Sequence, residues 1–142
     1  MRKDLGIEGL GDLVELPVVA TLATYRADGT VLLSPVWHEW RDGGFTVCVN
    51  GDDVKAKHLR RDPRASIALY ESDPPYRGVE LRTRARITTD DIPATWKRIA
   101  VRYLGEAAGS AYAADLSGIE VLLRLEPGEL RTWDFADDAW DG

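Results

Sequence analysis

Apolar residues recur along this chain mainly at every second position, in runs too short for long helices. The run "PVVATLAT" (17–24) is apolar and β-branched, Asp28-Gly29 signals a turn, and "VLLSPVWHEW" (31–40) follows, which predicts a hairpin. Asp42-Gly43-Gly44 predicts a second turn into "FTVCVN" (45–50), where Phe45, Val47 and Val49 share one face and Thr46, Cys48 and Asn50 the other, so the first three strands read as a meander. "RASIALYE" (64–71) and "GVELRTRARIT" (78–88) read as two more strands. The second sets Val79, Leu81, Thr83, Ala85 and Ile87 against Glu80, Arg82, Arg84 and Arg86, the pattern of a half-buried antiparallel strand. "EVLLRLEP" and "ELRTWDF" predict a closing hairpin through Pro127-Gly128.

Two segments carry helical signals. Asp52 or Asp53 caps a short helix over 54–61 that must end before Pro63, since a proline excludes its predecessor from helical geometry. Asp90 or Asp91 caps a second helix to about Leu104, with Pro93 in its first turn, and Ile92, Trp96, Ile99, Ala100, Tyr103 and Leu104 form its apolar face. Gly105 stops it, residues 106–118 read as a loop or weak helix, and 137–142 as a frayed tail. Seven strand candidates in one open sheet leave exposed edges, so closure into a small β-barrel is the predicted fold class: mainly β with a few helices.

Composition narrows the function. The 142 residues fit a single domain, 1–142, with no repeat or linker. A net charge of −6 opposes a nucleic-acid coat, and no apolar run reaches the length that spans a bilayer. A lone Cys48 precludes an internal disulfide framework, and "MRKDLGIEGLGDL" lacks the apolar core of a signal peptide; the expected location is the cytoplasm.

Against that acidic balance stands "KAKHLRRDPR", with Lys55, Lys57, Arg60, Arg61 and Arg64 in ten positions. Lys55 and Lys57 open a helix, where unpaired N–H groups and the macrodipole favour an anion, although the same run also reads as a solvated face. Pro35, inside an apolar strand, marks either an edge strand or a gap with a ligand across it. His38 and His58 read as surface residues and not as metal ligands, Cys48 as a packed thiol, and Trp37, Trp40, Trp96 and Trp133 as core, though an aromatic beside Pro35 suits stacking on a flat ring. With no nucleophile–base pair, P-loop or paired carboxylates, chemistry falls to a cofactor.

The segments "ATLATYRADGTVLLSPVWHEW", "FTVCVN", "KAKHLRRDPRASIALY" and "YRGVELRTRARIT", in this order over residues 17–88, together resemble the pyridoxamine-phosphate-oxidase-like split-barrel family. They look most like its actinobacterial branch, many of whose members use the deazaflavin coenzyme F420 in place of FMN. The resemblance implies a homodimer of six-stranded antiparallel split barrels with the cofactor in a groove at the dimer interface. It implies that Lys55 and Lys57, with the backbone of Val54, Lys55, Ala56 and Lys57, hold the cofactor phosphate. Ser34, Pro35 and Val36 would line the ring, Asn50 the adjoining strand end, and Tyr76, Arg77, Gly78 and Val79 the opposite wall, supplied in the dimer by either subunit. Asp53 stands where relatives often carry arginine and His58 where they often carry asparagine, and a carboxylate at position 53 opposes a phosphate.

The function implied is an oxidoreductase that moves a hydride from reduced F420 to a small conjugated or quinone-like substrate, with no side chain required as the acid. The alternatives are an FMN-dependent oxidoreductase and a non-catalytic flavin or haem binder. Substrate identity is not encoded in any motif here.

Overall fold

The period-2 segments become strands and the two capped segments become helices in a computed structural model that describes residues 1–138. Strands are β1 (Arg2–Lys3), β2 (Ala20–Tyr25), β3 (Val31–Val36), β4 (Glu39–Arg41), β5 (Gly44–Val49), β6 (Arg64–Tyr70), β7 (Arg77–Thr88), β8 (Val121–Leu125) and β9 (Glu129–Asp134). Helices are α1 (Val54–Arg61), α2 (Ile92–Leu104) and α3 (Glu106–Ala113), and two 3-10 turns, Ile7–Leu10 and Leu13–Glu15, lead into β2. Of the predicted tail, Asp137 and Asp138 pair with Arg2 and the N-terminal ammonium, and 139–142 lie outside the described residues.

Hydrogen-bonded neighbours run β3-β2-β6-β7-β8-β5-β4, all antiparallel. The two ends of this path, β3 and β4, are separated in the chain only by Trp37 and His38. The path therefore closes through the covalent chain where no ladder joins it, which makes a split β-barrel. Its interior gathers Leu22, Val36, Phe45, Val47, Ile67, Leu81, Leu123 and Leu125 from all round the path into one core.

Both predicted early hairpins form, β2 with β3 across Asp28-Gly29 and β4 with β5 across Asp42-Gly43, so the first three predicted strands keep their meander order. Two other expectations are corrected. The closing segments form no hairpin, because β8 and β9 both pair with β7: Ala85–Thr88 with β8, and Arg77–Arg82 with β9. At the corner between them, Thr83 donates its hydroxyl to the Glu126 carbonyl and Glu126 N donates to the Arg84 carbonyl at 3.2 Å. The single strand predicted over 31–40 breaks at Trp37-His38, where tertiary contacts outweigh strand propensity. Trp37 stacks on Tyr103 of α2 at 4.7 Å, and the His38 ring reaches the Val18 carbonyl at 3.1 Å.

Helix α2 lies outside the barrel, where Trp96, Ile99 and Ala100 form a second core with Ala113 of α3, Trp37 and Cys48. Its predicted side-chain cap is absent: Asp91 is left-handed (φ 58°) and accepts no capping bond. Residues 106–113 are helical because Gly109 lets α3 sit directly on α2; a Cβ there would lie 2.4 Å from Val101 Cα. Among the described residues no helix is long and apolar enough to cross a membrane.

Candidate functional site

Strand β3 ends on Pro35 and Val36, β5 runs alongside through Val47, Cys48 and Val49, and α1 starts just beyond β5. Together with Trp37, Asp53, Lys55, Trp96 and Tyr112 these residues enclose a cleft of about 260 Å³. Its floor is apolar and aromatic, and Lys55 supplies its cation. A larger cavity, about 540 Å³, lies between Met1, Lys3, Asp4 and β9, but it holds none of the residues to which the sequence assigned a role in binding.

Asp53 decides the electrostatics of the mouth. Its carboxylate caps α1 by accepting from Lys55 N at 2.8 Å and also holds Lys55 Nζ at 3.0 Å. The Lys55 side chain is 15% exposed, so its stem is packed and its ammonium is directed by this pair. The rest of the basic run is used differently: Lys57 is exposed, Arg60 donates to the Gly51 carbonyl at 2.9 Å, and Arg61 donates to the Tyr25 carbonyl. Arg64 binds Asp62 at 2.7 Å, lies 4.6 Å over the Tyr25 ring, and by its hydrogen bond holds the Asp62 carboxyl down at about 2.

Of the remaining predicted site residues, Ser34 is buried in β3, Ala56 is fully buried on the inner face of α1, and Val54 is exposed. Asn50 closes the turn before α1, accepting from Asp52 N at 2.8 Å. Tyr76, Arg77, Gly78 and Val79 lie at the start of β7, with β2 and β6 between them and β3, roughly 14 Å away at the usual strand spacing. Within one chain they do not reach the cleft. Arg77 is engaged by Glu71, by Asp12 at 3.0 Å and by the Leu10 carbonyl at 2.7 Å, Val79 is core, and Gly78 lies flat under the Trp133 indole.

Burial, reinforced by Glu39, pushes the Cys48 thiol up to about 12. Both histidines are buried, which corrects the surface reading. Burial, reinforced by Arg102, drives His38 down to about 3, and His58 is lowered first by burial and then by Arg61, with Nδ1 2.9 Å from Thr24 Oγ1. Among the described residues no three His, Cys, Asp or Glu side chains gather as a metal site.

Trp96 and Tyr112 line the cleft although the sequence read one as core and the other as part of a loop or weak helix; the signal was their aromatic character in a chain of five tryptophans. The cleft fits a flat ring with an anionic tail. Apolar walls suit the ring, and the Lys55–Asp53 pair must open for a phosphate to enter.

A family model described as pyridoxamine 5'-phosphate oxidase matches residues 8–134. No curated protein sequence matches the chain. Among solved structures, a conserved hypothetical protein from Mycobacterium tuberculosis is similar at 26% identity and TM-score 0.80, over 92% of this chain and 86% of that one. A heme binding protein from Mycobacterium smegmatis is similar at 27% identity and TM-score 0.67, over 94% of this chain and 55% of that one. An F420 reductase shares the fold at 23% identity and TM-score 0.67, over 84% of this chain and 93% of that one.

Proposed function

The chain belongs to the pyridoxamine 5'-phosphate oxidase family, and from that membership we propose that it is a flavin-type oxidoreductase whose preferred cofactor is F420, with FMN the alternative. The observation that carries the reading is the convergence of an ammonium, Lys55, with an apolar and aromatic cleft at the start of a helix. Bound there, the cofactor would supply hydride transfer to a small conjugated substrate. This chain's residues bind and orient: Lys55 and the first turn of α1 hold the phosphate, while Pro35, Val36 and Trp37 pack against the ring and exclude water.

The protein acts in this reading as a homodimer. The outer face of β3, β2 and β6 carries Val31, Leu33 and Pro35 beside the small residues Thr21, Ala23 and Ala68, and Leu33 is 65% exposed. A flat apolar strip of this kind suits a second copy. The partner copy would then bring its own Tyr76–Val79 segment opposite the cleft, the wall that one chain leaves absent.

Titration of the purified protein with F420 and with FMN tests the assignment. F420 is expected to bind more tightly, and FMN co-purifying at one per subunit overturns the choice of cofactor. Likeness to the heme binding protein makes a tetrapyrrole binder the second reading, and a Soret band on haem addition would favour it. Neither histidine is among the residues lining the cleft, so side-chain ligation there by imidazole is not provided.

A further inference from the structure

Two cavities meet at one aromatic wall. The cleft and a neighbouring cavity of about 390 Å³, bounded by Ala111, Asp115, Ser117 and Ile119, share Trp96 and Tyr112. Ring centroids of Trp37, Trp96 and Tyr112 lie 5.7 to 6.0 Å apart, so the three form a closed triad. Trp96 is 8% exposed and its Nε1–H is buried with no hydrogen-bond partner. Buried indole donors are ordinarily satisfied, and an orphaned one costs about 1–3 kcal/mol. Tyr112, by contrast, is 54% exposed and sits on the short helix α3. It lines both cavities together with Trp96.

We propose that Trp96 is the specificity-determining donor of a substrate subsite for flat, neutral, conjugated carbonyl compounds, which pack against Trp37 and Tyr112 and accept a hydrogen bond from Nε1. A donor-only group selects an acceptor. Asp115 on the rim disfavours a carboxylate ligand, and Lys55, the cation of the cleft, belongs to the phosphate in the reading above. The inference rests on the proposed function for the reaction that the ligand undergoes, while binding itself needs no cofactor.

The test uses cofactor-free protein and two probes of one shape, 1-indanone, an aryl ketone, and indane, which lacks the oxygen. Calorimetry is expected to give about tenfold tighter binding of indanone, and Trp96→Phe, which keeps the ring and loses the N–H, to bring both probes to the same affinity. With indole-labelled protein, the Trp96 N–H resonance moves downfield with indanone only. Equal affinities in the wild type, or a preference that survives Trp96→Phe, overturn the proposal. Should Trp96→Phe not fold, the wild-type pair and the indole resonance decide it. Absence of F420 and FMN binding alongside an intact Trp96-dependent preference sinks the cofactor reading and leaves the subsite; normal cofactor binding without that preference does the reverse.

Discussion

Asp53→Asn isolates the conflict at the mouth of the cleft. Asparagine caps a helix about as well as aspartate, so α1 keeps its first bond to Lys55 N, but the substitution removes the carboxylate that holds Lys55 Nζ at 3.0 Å. A cofactor phosphate seated on Lys55 would stand roughly 5 Å from that carboxylate. Two unit charges at this distance repel by about 0.8 kcal/mol in water and about 3 kcal/mol at an effective dielectric of about 20, and with the Lys55 and Asp53 side chains 15% and 26% exposed the repulsion lies between these limits. Lys55 is also released from its internal partner. An affinity gain of about tenfold, close to 1.4 kcal/mol, is expected for F420 and for FMN alike. The assay is a fluorescence titration of both cofactors at low and high salt, with the gain shrinking as salt screens the charges. If Asp53→Asn binds more weakly than wild type, or within twofold of it at low salt, the phosphate does not sit on Lys55 and the reasoning fails.

Lys55→Ala is expected to weaken cofactor binding roughly ten- to a hundred-fold, the worth of a charge-assisted hydrogen bond. Lys57→Ala, exposed, and Arg60→Ala, tied to Gly51, should do much less, and equal losses at all three would mean diffuse attraction. His38 has a folded pKa near 3 against 6.5 in the unfolded chain, so the unfolded state binds the extra proton first. Stability should be full above pH 6.5 and fall by up to about 5 kcal/mol as pH drops to 3, measured by urea unfolding; an unchanged slope in His38→Gln would contradict this. Gly109→Ala places a Cβ 2.4 Å from the Val101 backbone and should cost about 1–3 kcal/mol, seen as a Tm lowered by several degrees, whereas an unchanged Tm means that α3 shifts freely on α2.

Elements with local causes are legible in consecutive residues. Helix α1 spans 54–61 because Asp53 caps it and Pro63 forbids its continuation, and α2 spans 92–104 because one face is apolar and Gly105 ends it. The alternation of β7 was legible residue by residue, since a strand's period follows from its own backbone. Of the residues that the resemblance assigned to a cofactor, Pro35, Val36 and Lys55 line the candidate cleft, and a misplaced proline and a basic helix start made that stretch conspicuous. How the hairpins and later strands join into a closed path depends on packing between distant segments. β8 and β9 are joined by a tight connection yet part company at a bend in β7, and β3 and β4 break where Tyr103 and Val18 capture Trp37 and His38. Tertiary packing also decided which cation faces the cleft, that both histidines are buried, and that Trp96 and Tyr112, far from Pro35 in sequence, form its far wall. Caps, turns and periodicity act over a few residues and are written in consecutive letters, whereas pairing and burial depend on chain segments dozens of residues apart and are settled only when the whole barrel closes.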